Sequence, residues 1–121
     1  MKHRVKGRKF SRLKGQRTAF LKTLVGSLVV KEKITTTEAR AKEIKSIIDR
    51  MVGKAIKAKK DEAKKVSIVR DMRKKMPLVA VKKLSGEFID KFEGRTSGFV
   101  RIIKLERRKS DSAKMAVIEF V

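Results

Sequence analysis

The 121-residue chain has no cysteine, tryptophan or tyrosine, one proline and one histidine, and its 13 carboxylates face 35 lysines and arginines. Each scarcity removes a class of chemistry. Without cysteine there are no disulfides, thiolate metal sites or thiol nucleophiles, which suits a reducing compartment. Prenylation has no acceptor, and Lys2 stands where myristoylation needs glycine. His3 has no second imidazole or thiolate with which to share a metal, so it is read as one more hydrogen-bond donor among cations. With no Trp or Tyr, and most Phe on apolar stripes, few side chains remain for base stacking, the usual device of single-strand readers.

Catalytic motifs are missing as well. There is no G-x-x-x-x-G-K-[ST] loop and no G-x-G-x-x-G, and the pair Gly94 and Gly98 in "GRTSG" is too short and follows a helix pattern rather than a strand. Carboxylates such as Glu38 and Glu87 lie four residues before Lys42 and Lys91, the spacing of solvated helical ion pairs. No enzyme, cofactor or small-molecule substrate is expected.

What is present in excess is positive charge. The formal net charge is +22, with an isoelectric point near 10.9. The opening "MKHRVKGRKFSRLKGQR" holds eight Lys and Arg and no acid, and the first carboxylate is Glu32. Ten of the surplus charges fall in the first 31 residues (ten cations, no acid), leaving 25 minus 13, or +12, for the remainder. Self-repulsion on this scale weakens a lone compact domain and is relieved by a polyanion. Positive charge also continues into the body, at Lys54 to Lys60, Arg73 to Lys75, Lys82 and Lys83, and Arg107 to Lys109. Nucleic acid is therefore the expected partner, met through phosphates and shape. Lys2, Arg4, Lys6, Arg8, Lys9, Arg12, Lys14, Arg17, Arg107, Arg108 and Lys109 are the candidate contacts, with Gly7 and Gly15 allowing close backbone approach. If about six arm cations meet phosphates, log K falls with log[salt] at a slope of about −4 to −5. Charge alone permits a nucleoid-type DNA-binding protein equally well.

The basic start followed by "AFLKTLVGSLVV" imitates a secretory signal, but Lys22 interrupts the apolar run, no small-residue cleavage pattern follows, and twelve residues cannot span a bilayer. A basic mitochondrial presequence shares the composition; against it, the stretch continues into a helix that the core needs. No membrane association is expected.

The pattern predicts an α+β fold with a basic extended arm over residues 1–15 and one globular domain over 16–121, in which about four helices pack on a small sheet. A first helix starts at Gln16 with Ala19, Phe20, Thr23, Leu24, Ser27 and Leu28 as its buried stripe. "KITTT" (Lys33 to Thr37) reads as an edge strand, and Thr35 with Glu38 has capping-box spacing. Ile44, Ile47, Ile48, Met51, Val52, Ala55 and Ile56 define the clearest helix. Another runs from Asp61 and Glu62 to Lys74 and Lys75, in the order the macrodipole favours. Pro77 opens a last helix with Val81, Leu84, Phe88 and Phe92 inward and Gly94 at its C-cap. A period of two from Phe99 to Glu106, a polar "RRKSDS" turn and "KMAVIEFV" predict a C-terminal β-hairpin.

"MKHRVKGRKFSR", "VGSLVVKEKITTTEARAKEI" (Val25 to Ile44) and "SGFVRIIKLERRKSDSAKMAVIEFV" (Ser97 to Val121) resemble, in order and spacing, the bacterial large-subunit ribosomal protein seventeen family. The match covers nearly the whole chain, and its specific parts are the H-R-x-x-G-R-K start, the S-L…I-x-T-T…A-K-E block and the final hairpin. The resemblance implies an α+β domain bound to large-subunit ribosomal RNA near the peptide exit, beside neighbouring large-subunit ribosomal proteins. It also implies a cytoplasmic location in the ribosome, no cofactor and no homo-oligomer. It carries His3, Arg4, Gly7, Arg8 and Lys9 over as arm contacts to RNA, and Arg101 of "GFVRI" as a hairpin position that contacts RNA or supports the sheet. The chain departs from the family where Gln16 and Arg17 replace a His-Arg pair and Lys22 and Thr23 an Arg-Asn pair, so Gln16 and Thr23 are not expected to touch RNA. "KAKKDEAKKVSIVRDMRKK" fits loosely, leaving its lysines either bound or solvated.

Overall fold

A computed structural model describes residues 7–92 and 94–121. Helix α1 (Lys14–Lys31) leads into strand β1 (Lys33–Thr37), followed by α2 (Glu38–Lys60), α3 (Glu62–Met72) and α4 (Leu78–Leu84). A 3-10 segment (Glu87–Phe92) then precedes β2 (Val100–Lys104) and β3 (Met115–Phe120). The three strands form one antiparallel sheet in the order β1-β3-β2. The C-terminal hairpin and the β1 edge strand are thus both present, with the last strand in the centre.

Register explains which residues fill the core. Ile34 and Ile102 both pair with Ile118, Thr36 pairs with Ala116, and Val100 with Phe120. Alternation turns this set toward the helices, while Lys33, Thr35, Arg101, Ile103, Val117 and Glu119 take the outer face. α2 crosses the inner face and contacts all three strands, α3 packs along α2, and α1 packs on α4. α2 contributes Ile44, Ile48, Met51, Val52 and Ala55 to the core, as its sequence stripe predicts, with Ile47 and Ile56 at the margin. At the end of the sheet Phe92 meets Phe99 edge-on at 5.5 Å, and Phe88 meets Phe120 at 5.1 Å. Such pairs contribute about 0.5–1.5 kcal/mol beyond area burial.

Several local expectations are corrected. α1 begins at Lys14, two residues early, after Phe10 and Ser11 turn through the left-handed region at φ 52° and 55°. Its buried face is Val25, Gly26, Leu28 and Val29, whereas Ala19 and Thr23 are exposed. The apolar run offers more than one stripe, and packing against α4 selects this one. The cap of α2 is Thr37, whose hydroxyl accepts from the Arg40 N–H at 3.4 Å; Thr35 is held in the ladder opposite Val117 and is not at the helix end. Asp61 caps α3 by accepting from the Ala63 N–H. Pro77 is the residue before α4 rather than its first. The predicted last helix is two pieces: Ser85 and Gly86 end α4, because glycine weakens a helix interior, and the chain continues as the 3-10 segment, which adds Ile89 to the core. Gly94 follows at φ +89°.

Candidate nucleic-acid interface

Among the described residues, ten ion pairs draw on seven carboxylates. Three acids hold two cations each. Glu32 faces Lys83 at 3.3 Å and Lys91 at 3.7 Å, Glu38 faces Lys42 at 2.9 Å and Lys104 at 3.8 Å, and Glu119 faces Arg101 at 2.9 Å and Lys33 at 3.8 Å. Lys91 therefore goes to Glu32 and not to Glu87, its expected helical partner, because the 3-10 segment changes the i, i+4 geometry. Lys54 pairs with Asp71 and Lys59 with Asp90. The hydrogen bond from Lys54, then its charge, holds the Asp71 carboxyl below its usual range; Lys42 does the same for Glu38. Such exposed pairs add little stability. Their consequence is a map of which cations are already partnered.

The expected contact residues divide along that map. Lys2, His3, Arg4 and Lys6 lie outside the described residues. Gly7 adopts φ +83°, a conformation that suits glycine. Arg8 donates to Glu43 on α2 at 3.1 Å, so the arm is pinned to the body at that point. Lys9 is exposed. Arg12 folds back: its guanidinium lies 4.0 Å from the centroid of Phe20 and donates to the Phe10 carbonyl at 2.8 Å, while Phe10 meets Phe20 edge-on at 5.6 Å. Arg40 approaches the same ring at 4.9 Å. Residues 7–13 are thus clipped onto α1 rather than extended. Lys14 is the first residue of α1, with its carbonyl accepting from the Thr18 hydroxyl, and Arg17 is half-buried on the same helix.

In the hairpin, Arg101 donates across the outer face to Glu119 at 2.9 Å. Arg107 donates to the Ser112 carbonyl at 3.4 Å. Arg108 forms a fork to Asp111 at 2.9 and 2.7 Å, and Asp111 also accepts from the Ala113 N–H at 3.1 Å. These bonds lower the Asp111 carboxyl to about 2, and the fork raises Arg108. Lys109 is exposed at the loop.

Arm and hairpin meet at the start of α2. The Glu38 N–H donates to the Lys114 carbonyl at 2.8 Å, and Arg8, Thr37, Glu38, Lys42 and Lys114 line one hollow there. Lys42 and Lys114 join Arg8 as candidate contacts that the sequence reading missed. Nothing in the local pattern of either lysine announces the juxtaposition, which arises from the pairing of β1 with β3. No group of three or more metal-ligating side chains occurs among the described residues, and no helix among them is long and apolar enough to cross a membrane.

Residues 20–121 match the family model described as "Ribosomal protein L17". The chain is 38% identical to the large ribosomal subunit protein bL17 of Hydrogenobaculum sp. (strain Y04AAS1), over all of this chain and 99% of that protein. It is 41% identical to the bL17 of Thermodesulfovibrio yellowstonii, over all of this chain and 87% of that protein. The bL17 of Staphylococcus epidermidis is 36% identical over 94% of this chain and 98% of its own length. The family model leaves out the arm, but the first two alignments include it. With the family model covering residues 20–121 and relatives of 38% and 41% identity aligned over all of this chain, the chain belongs to the ribosomal protein L17 family.

Proposed function

We propose that this protein is a structural constituent of the large ribosomal subunit that holds ribosomal RNA through phosphate and shape contacts. The observation that carries the reading is the full-length similarity to proteins named for the large subunit, joined to a surplus of cations that the chain's own acids leave largely unneutralised. On this reading residues 1–15 are an RNA-binding arm, whose last two residues double as the first turn of α1, and residues 16–121 are the domain that seats it. The arm supplies Lys2, His3, Arg4, Lys6, Gly7, Arg8, Lys9, Arg12 and Lys14, α1 adds Arg17, and the hairpin loop supplies Arg107, Arg108 and Lys109. Arg101 is the remaining candidate on the sheet, where its exposed pair with Glu119 is open to the same exchange for a phosphate as the pair of Arg8 with Glu43. Neighbouring large-subunit proteins and a cytoplasmic ribosome complete the setting. Catalysis, cofactors and small-molecule substrates have no part in it.

Phosphate recognition needs no aromatic platform. Arg forks bridge two phosphate oxygens, lysines act as point charges, and pairs such as Arg8 with Glu43 exchange a carboxylate for a phosphate at little net cost in solvent. Gradient sedimentation of a cell extract, followed by crosslinking read out by nucleotide and residue, tests this. Co-migration with large subunits and crosslinks from arm residues to large-subunit RNA are expected; recovery with chromosomal DNA and absence from subunits overturns the reading.

A further inference from the structure

We propose that the groove between α1 and the turn joining α3 to α4 is a second phosphate-binding site, in which Lys22, Lys74 and Lys75 grip the backbone of a folded RNA; this rests on the RNA-binding reading above. The groove is lined by Thr18, Leu21, Lys22, Val25, Ile47, Lys74 and Lys75. Its three charges are all positive. Three other surface hollows each include a carboxylate in their linings: Asp90 in one, Glu62 in the second, Glu38 in the third. Here a lone cation cluster faces an apolar floor of Leu21, Val25 and Ile47. Such a low-dielectric wall focuses the field of the lysines outward, and lysine stems lie readily along it.

The partnering of neighbouring charges supports the same assignment. α1 carries no acid along its entire length. Lys54 is the main cause of the lowered Asp71 carboxyl, through its hydrogen bond and then its charge, and the charges of Lys74 and Lys75 add least to it. Lys22, Lys74 and Lys75 form no ion pair among the described residues. The basic run through residues 54–75 therefore divides in two. Lys54 and Lys59 neutralise Asp71 and Asp90 and tie α2 to its neighbours, whereas Lys74 and Lys75 are presented beside Lys22, a residue some fifty positions earlier in the chain. Lysine ammoniums demand no planar fork, so a phosphate run suits a rim of three.

The test compares the full-length chain with the triple variant Lys22→Gln, Lys74→Gln, Lys75→Gln, using a transcript of large-subunit ribosomal RNA as the probe. Removing three phosphate contacts should flatten the slope of log K against log[salt] by about 2 to 3 and weaken binding at moderate salt roughly tenfold or more. Thermal melting should be unchanged, because no core side chain is altered. Equal affinity and slope for the two proteins overturns the groove while leaving RNA binding intact. If the unaltered chain holds the transcript no better than a scrambled peptide of equal charge, the functional reading falls and the groove with it. A second measurement needs no variant: in whole large subunits these three lysines should resist acetylation and become reactive after ribonuclease treatment. Protection that survives the nuclease would put an acidic protein in the groove and overturn the proposal.

Discussion

Gly26 of α1 lies directly against Pro77, the residue that precedes α4: a Cβ at position 26 would stand 2.4 Å from the Pro77 Cγ and 2.6 Å from its Cδ. Glycine is therefore kept inside an 18-residue helix, where it costs about 1 kcal/mol in propensity, because the pyrrolidine ring needs the space. Gly26→Ala should destabilise the protein by about 1–3 kcal/mol in chemical unfolding, overpacking outweighing the helical gain. Gly53→Ala on α2 is the matched control, since nothing lies within 4 Å of its added methyl, and it should be neutral or stabilising by up to about 1 kcal/mol. The double change Gly26→Ala, Pro77→Ala should recover part of the loss. A neutral Gly26→Ala would mean that α1 and α4 separate readily at this point.

The hairpin loop carries the clearest pH signature. Asp111, held at about 2 by the Arg108 fork and the Ala113 N–H, has a depressed pKa in the folded protein. Its contribution is complete above the ordinary carboxylate value near 3.8 and is lost as pH falls through about 2. Amide exchange at Ala113 should therefore speed up between pH 4 and 2 relative to intrinsic rates. Asp111→Asn should show faster exchange already at pH 7 and no further change in that window. A carboxyl resonance of Asp111 titrating near 4 would show that the fork is open in solution.

Phe20 is the anchor of the clip on α1. Its ring takes an edge-on contact from Phe10 and a guanidinium from Arg12, together worth about 1–2 kcal/mol at a partly exposed site. Phe20→Ala should free residues 7–13 without loosening the core, because Phe20 lies outside the buried cluster. The expected readout is faster tryptic cleavage after Arg8, Lys9 and Arg12, with cooperative melting retained. Unchanged cleavage would assign the ordering of this segment to the Arg8–Glu43 pair instead.

These contacts also show what local pattern can and cannot carry. α2 is legible because its apolar residues gather on one face whatever surrounds them, and β2 and β3 are legible because alternation of period two survives in any sheet. The face of α1 is not, since the segment from Leu21 to Val30 is apolar nearly all round and Pro77, distant in sequence, selects Gly26 and its neighbours. The break at Ser85 and Gly86 is hidden because Val81, Leu84, Phe88 and Phe92 keep a helical spacing across it. For the interface, charge density marks the arm and the hairpin loop, but which cations the acids already hold is a tertiary fact. Glu87 and Lys91 have the right spacing and do not pair, whereas Glu32 and Lys91 have no sequence relationship and do. The groove of Lys22, Lys74 and Lys75 is invisible in the chain for the same reason.

Because α1 starts at Lys14, the clean truncation removes residues 2–13 and leaves α1 whole. The deleted stretch holds six cations, Lys2, Lys6, Lys9, Arg4, Arg8 and Arg12, and its described residues, 7–13, contribute no side chain to the buried cluster. Loss of the Arg8–Glu43 pair and of the Phe10 cover on Phe20 should cost about 1–2 kcal/mol, so melting stays cooperative. RNA affinity should fall by orders of magnitude, and the salt slope should flatten by about 4 to 5 if all six cations meet phosphates. Arg8→Glu in the full chain should weaken binding more than Arg8→Ala, because it adds repulsion both to phosphate and to Glu43. Equal affinities for those two variants would mean that Arg8 serves only to fasten the arm to α2, and loss of cooperative melting in the truncation would make residues 2–13 part of the fold itself.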